Sequence, residues 1–158
     1  MHPPASRGLY ILVAARGPRC ENKRMESDLV QGIPHRPPMR WLDDAALQAD
    51  GTVAAHSTIS AEHPFLNGGR LPRSALIEMM AQTAACAGVA TAAGRGGRGM
   101  LIGLRDVAIA GAPAIGERVE LQVKMIQRIG NMFLCEGSAS VGGREIVHGQ
   151  FSLIWLPA

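Results

Sequence analysis

Pro72-Arg73-Ser74-Ala75-Leu76-Ile77-Glu78-Met79-Met80-Ala81-Gln82-Thr83-Ala84-Ala85-Cys86-Ala87-Gly88-Val89-Ala90-Thr91-Ala92-Ala93 reads as one helix. Ala, Leu, Met, Glu and Gln form helices readily, and no proline follows Pro72 in the run. Pro72 suits the start, where its missing N–H would be unpaired anyway. Gly94 to Gly99, with Arg95 and Arg98, supplies a stop. Leu76, Ile77, Met79, Met80, Ala84, Ala85, Cys86 and Val89 point all the way round, and a helix apolar on every side is buried. Glu78 is the lone carboxylate between Arg73 and Arg95. Its plain reading is a first-turn acid, partly wet and helped by the helix dipole. The other reading is a carboxylate held in an apolar setting by a partner or a task.

Downstream of the helix the pattern changes to strands. Arg118 to Ile129 is the clearest, with Val119, Leu121, Val123 and Met125 alternating with Glu120, Gln122 and Lys124. Met100 to Ile109 precedes it. Gly130-Asn131 turns it into Met132 to Val141, and Gly142-Gly143 leads on to Arg144 to Leu156. Upstream, Ala45 to Ala49 and Thr52 to Ser60 flank Asp50-Gly51, a strong hairpin signal. Ile33 to Asp43 carries three prolines and is expected to be extended and rigid, after a short helical stretch from Glu26 to Gln31. A hairpin, one apolar helix and several long antiparallel strands imply an α+β layer, a strongly curved sheet wrapped around the helix. The small residues leave room for a slot beside the helix where a long apolar ligand could lie. Small edge strands and a flat sheet face suggest a dimer whose sheets join.

The chain of 158 residues suits one domain, residues 25–158, with a sizeable core. Residues 1–24 read as an appendage, poorly ordered or loosely docked, and Met25 opens a better-behaved sequence. The apolar run Leu9 to Ala15 is too short to span a bilayer and fits a secretion signal poorly, so no membrane insertion is expected. Lys and Arg number 16 against 13 Asp and Glu, a formal charge of +3 concentrated near the N-terminus. That is too weak for nucleic acid, although it suits an acidic partner. Cys20, Cys86 and Cys135 lack metal-ligand spacing and fit buried free thiols in a reducing cytoplasm. No nucleotide motif is present, and neither metal nor cofactor is expected.

The loop Glu62-His63-Pro64-Phe65-Leu66-Asn67-Gly68-Gly69-Arg70-Leu71 leads into the helix. Gly68 and Gly69 permit positive φ and can present backbone N–H groups. A loop histidine, a helix carboxylate and amide donors together suit enolate chemistry on a thioester. In that scheme His63 takes the proton from C2, Gly68 or Gly69 N–H holds the carbonyl oxygen, and Glu78 protonates the departing C3 hydroxyl. Desolvation would raise the Glu78 carboxyl and keep it a competent acid. A loop histidine ahead of a helix is otherwise an ordinary structural residue. His56 and His148 fall within strands and read as core or surface residues.

Pro-His-Arg-Pro-Pro-Met (34–39), Glu-His-Pro-Phe-Leu (62–66), Leu-Pro (71–72), Leu-Ile-Glu-Met-Met-Ala-Gln (76–82), Ile-Gly-Leu-Arg-Asp-Val (102–107), Gly-Glu (116–117) and Gly-Gln-Phe (149–151) occur in that order. Over residues 29–156 the chain thereby resembles the 3-hydroxyacyl-acyl carrier protein dehydratases of the hot-dog fold. It is similar above all to the divergent dehydratase-like branch of aryl-polyene clusters. The resemblance implies Glu78 as the helix acid and Gln82, one turn on, as its support. It also implies a catalytic pair brought together across a dimer, an acyl carrier protein as the substrate's carrier, and a homodimer or a heterodimer with another hot-dog protein. The family's Gly-His-Phe-Pro-Gly motif is absent. A small insertion aligns His63 with the family base; a short deletion leaves Gly68 or Gly69 there instead. His63 is the expected base and His35 the second candidate. Arg40, Arg70 and Arg73 are candidate docking points for the acidic carrier. Two other readings stand beside the dehydratase: a non-catalytic hot-dog partner of an active enzyme, and an acyl thioesterase in which Glu78 activates water.

Overall fold

Alternation of buried Val119, Leu121 and Val123 with exposed Glu120, Gln122 and Lys124 makes Arg118–Ile129 a strand with one wet face, as its pattern predicts. It belongs to a computed structural model that describes residues 26–27, 29–91 and 98–156. The strands are β1 (Glu26–Ser27), β2 (Asp44–Leu47), β3 (Thr52–Thr58), β4 (Arg98–Ile109), β5 (Arg118–Ile129), β6 (Met132–Val141) and β7 (Arg144–Leu156), with one α-helix, α1 (Arg73–Ala90), after β3. They form one antiparallel sheet in the order β1-β2-β3-β5-β6-β7-β4.

Helix α1 packs against every strand from β2 to β7. Six strands laid flat span roughly 24 Å, too wide for a helix about 10 Å across to touch. The sheet must therefore curl around α1, and this is the hot-dog architecture. The helix buries Leu76, Met79, Met80, Ala84, Ala85 and Cys86, with Val53, Val119, Leu121, Val123, Phe151 and Trp155 facing them from the strands. Helix and sheet approach closely at Gly88, where a Cβ would lie 2.5 Å from Trp155 Cζ3.

Several expectations need correction. Glu26–Ser27 pairs with Leu47 and Ala46 as a strand, and only Leu29–Gly32 is helical, as a single 3-10 turn. The proline-rich segment is a turn: the Arg36 carbonyl accepts the amides of Met39 (2.8 Å) and Arg40 (3.1 Å), and the Pro37–Pro38 bond is cis. Pro72 caps α1, and the helix ends at Ala90, where the amide of Thr91 (3.3 Å) and its hydroxyl (2.8 Å) both donate to the Gly88 carbonyl. The glycine-rich stop lies partly, and the 1–24 appendage wholly, outside the described residues. Nor is α1 buried on all sides. Ser74 is exposed, and Ile77, Glu78 and Ala81 are half-buried, an i, i+3, i+4, i+7 stripe that one chain leaves open. Among the described residues the main clefts are not lined by the buried side chains of α1, where a slot was anticipated. A cleft of about 690 Å³ lies instead on the sheet's far face, lined by polar residues including Lys124, Glu136 and His148. Finally, edge strand β4 runs for twelve residues rather than being short. Among the described residues no helix is long and apolar enough to cross a membrane.

Candidate functional site

Glu78 and Gln82 lie one turn apart on α1 and so share a face. Gln82 is fully buried. Its Nε2 donates to Glu78 Oε1 (2.9 Å) and to the Met39 carbonyl (2.8 Å), while its Oε1 accepts the amide of Trp41 (3.0 Å). One side chain thus fastens the proline-rich turn onto the helix. The turn is further braced by Arg36 Nη1, which donates to the Ile33 and His35 carbonyls (2.6 and 2.7 Å), and by Trp41 Nε1 on the Pro38 carbonyl (3.0 Å).

The consequence is a pair. His35 Nε2 sits 3.3 Å from Glu78 Oε1, with the two side chains 31% and 36% exposed. His35 Nδ1 is buried and has no partner among the described residues. Among the described residues the hydrogen bond and the ion pair of the Glu78 carboxylate both fall on Oε1, which leaves Oε2 available.

His63 lies elsewhere. Its ring is 4.9 Å from that of Trp41 and 6.3 Å from that of Phe65, and Trp41 and Phe65 meet edge to face at 5.2 Å. Nδ1 accepts the amide of Phe65 (3.3 Å), whereas Nε2 is buried without a partner among the described residues. Burial pulls its pKa below the ordinary histidine value. Among the described residues His63 makes no ion pair with Glu78, and it joins the cluster only through Trp41. The structure therefore brings Glu78, Gln82 and His35 together within one chain and leaves His63 apart.

Gly68 and Gly69 form the tip of a tight turn, with φ of +56° and +74°. Asn67 and Arg70 exchange both backbone hydrogen bonds around it (2.9 and 3.1 Å). Positive φ at both central residues is what a type I′ turn requires. Neither glycine amide has a protein acceptor among the described residues.

Arg70 and Arg73 share a cleft of about 390 Å³ with Arg144, which the sequence reading missed. Arg70 Nη1 is tied to the Ala112 carbonyl (2.8 Å). Arg40 is not among the residues lining this cleft; its Nη1 reaches Gln31 Oε1 at 3.3 Å. Trp41 was missed as well; a tryptophan directly after a proline-rich turn was the available signal. His56 is half-buried in β3, and exposed His148 in β7 pairs with Glu145 (2.8 Å). No group of three or more His, Cys, Asp or Glu among the described residues is placed to hold a metal ion.

A family model described as ApeP-like, ApeP dehydratase, matches residues 27–155. Among curated proteins, a 3-hydroxyacyl-[acyl-carrier-protein] dehydratase FabZ from Streptococcus equi subsp. zooepidemicus is 24% identical over 127 residues, covering 77% of this chain and 91% of the relative. The FabZ of Streptococcus sanguinis is 23% identical over 131 residues, covering 80% and 94%. Among solved structures, a chain of the dehydratase heterocomplex ApeI:P from Xenorhabdus doucetiae matches with a TM-score of 0.71 and 27% identity, covering 82% of this chain and 91% of its own. A hypothetical thioesterase with coenzyme A from Streptococcus pneumoniae matches with a TM-score of 0.56 at 13% identity, covering 68% and 83%, which is likeness of fold alone.

Proposed function

Since the chain belongs to the ApeP-like dehydratase family, we propose that it removes water from a 3-hydroxyacyl thioester on acyl carrier protein, giving the trans-2-enoyl thioester. An imidazole takes the C2 proton, and Glu78 gives a proton from Oε2 to the C3 hydroxyl as it leaves. The amides of Gly68 and Gly69 are the donors we assign to the thioester oxygen. The observation that carries this reading is the Glu78 carboxylate, half-buried on α1, fixed by Gln82 and set against an imidazole at 3.3 Å.

Strand β4 supports a hot-dog partner. It is an edge strand with Met100, Ile102 and Leu104 about half exposed (51%, 49% and 50%). An unpaired apolar edge of this length invites a second sheet. A partner joined there could enclose the acyl tail. We assign this place to a second copy or to a different hot-dog chain, as the heterocomplex relative suggests. The acidic carrier would approach Arg70, Arg73 and Arg144, with Arg40 as an outlying contact. The setting we infer is the cytoplasm, where Cys86 and Cys135 remain thiols.

One observation favours a second reading, a non-catalytic partner subunit: the family's Gly-His-Phe-Pro-Gly motif is absent from the chain. The purified protein, alone and mixed with a second hot-dog dehydratase subunit, should be given 3-hydroxyacyl carrier protein. Enoyl thioester formed by the protein alone supports the first reading; formation only in the mixture, at a rate unchanged by Glu78→Gln, supports the second. Release of free thiol without enoyl product would point to hydrolysis and overturn both.

A further inference from the structure

Resting on the dehydration reading, with acyl carrier protein as the substrate's carrier, we propose a task for the cleft lined by Arg70, Arg73 and Arg144. It holds the phosphodiester through which the carrier's pantetheine arm is attached. The cleft, about 390 Å³, lies between the loop after β4, the start of α1 and the β6–β7 turn.

Charge singles it out. Among the described residues none of the three guanidiniums forms an ion pair. Arg70 Nη1 donates to the Ala112 carbonyl at 2.8 Å, which fixes its place without neutralising it. One carboxylate, Glu117, also lines the cleft, and its Oε2 already accepts the Ala114 amide at 2.8 Å. Three cations against one anion leave an excess of two positive charges. Like charges gathered in this way repel one another until an anion joins them. Helix α1 begins at Arg73 with no side-chain cap, so the positive end of its dipole adds to the same field.

The donors suit phosphate in particular. A guanidinium presents N–H groups in a planar fork that meets two phosphate oxygens at once. Backbone donors stand beside the arginines. Gly111 and Ala112 line the cleft, and neither amide has an acceptor among the described residues. At Gly111 a Cβ would come within 2.7 Å of Ile146 Cγ2, so bare backbone is what fits there.

Length decides which phosphate. Arg73 and Glu78 are five residues apart on α1, about 7.5 Å along the axis and on different faces. An anion held at Arg73 is thus well removed from the carboxylate assigned to the C3 hydroxyl. To occupy both places a substrate needs a long chain between its phosphate and its reacting carbon. A pantetheine arm provides that chain, and a small phosphorylated metabolite does not.

Holo-carrier protein bears the arm and apo-carrier protein lacks it, so the two separate the phosphodiester from the carrier's own acidic side chains. In calorimetric titrations the double variant Arg73→Gln, Arg144→Gln should bind holo-carrier about tenfold or more weakly than the unaltered protein, the scale of a lost charge-assisted contact. Its affinity for apo-carrier should change by less than about twofold, as expected where no contact is lost. Both side chains are exposed, so the variant should fold normally. Free 4′-phosphopantetheine should shift the arginine Nε–H resonances of the unaltered protein, and pantetheine should not. Equal losses for holo- and apo-carrier would overturn the proposal, since the arginines would then be reading the carrier's acids. Identical shifts with the two free arms, or no binding of holo-carrier, would overturn it as well. None of these measurements needs turnover. Absence of dehydration by the unaltered protein, alone or partnered, would instead count against the dehydration reading, and binding would still decide the phosphate site.

Discussion

Removing Gln82 should loosen the site and the fold together. In Gln82→Ala, the buried Trp41 amide loses its acceptor, the Met39 carbonyl loses a donor, and Glu78 Oε1 keeps only His35. An orphaned buried amide costs about 1–3 kcal/mol, whereas the two oxygens, nearer the surface, can turn to water at a few tenths each. The vacated volume adds about 1 kcal/mol. The sum is about 3 kcal/mol. For a domain of this size that corresponds to a fall in Tm of about 10 °C, against a few tenths of a kcal/mol for an ordinary surface change. Thermal melts followed by circular dichroism would measure it. Gln82→Glu keeps an acceptor for Trp41 but sets a second carboxylate beside Glu78, so it should be less destabilising in mild acid than at neutral pH. A Tm within about 2 °C of wild type for Gln82→Ala, well under the shift worked out above, would refute the claim that this side chain fastens the turn to the helix.

Gly88→Ala puts a Cβ 2.5 Å from the Trp155 ring; overpacking of this kind should cost about 1–3 kcal/mol, and urea unfolding should show an earlier midpoint with an unchanged slope. The Cys135 thiol, pushed up to about 11 by burial, should resist a thiol reagent at neutral pH in the native protein and react once urea unfolds it. His63, whose pKa is lowered by burial, binds fewer protons folded than unfolded. Its contribution to stability is therefore lost as pH falls through the unfolded value of about 6.5. His63→Gln should flatten the decline of Tm between neutral pH and mild acid; an unchanged profile would remove His63 as its source.

Strands β5, β6 and β7 were legible because period-2 alternation and paired turn residues are local, and their bounds match the expected ones. The hairpin at Asp50-Gly51 was legible for the same reason: Asp50 Oδ1 accepts the Thr52 amide at 3.0 Å. The turn at 36–40 was not. Its shape is stabilised by Gln82, distant in sequence, and prolines alone are equally at home in an extended segment. The half-open face of α1 was misread because its exposed stripe includes Ile77 and Ala81, apolar residues whose surroundings depend on what lies beyond the chain. At the site, the pairing of Glu78 with Gln82 followed from the family resemblance, and their i, i+4 spacing puts them on one face. The approach of His35 to Glu78 did not, since it depends on the same long-range turn. Alignment with the family histidine favoured His63, and the folded turn places His35 as the imidazole beside Glu78 within one chain.

The most direct test of the central claim compares wild-type protein with Glu78→Gln on 3-hydroxyacyl carrier protein, in the presence of its hot-dog partner, by the rate at which enoyl thioester accumulates. Loss of the acid should lower that rate by about 10²-fold or more while the protein stays folded. Equal rates in the two proteins would contradict the claim that this helix carboxylate performs the elimination.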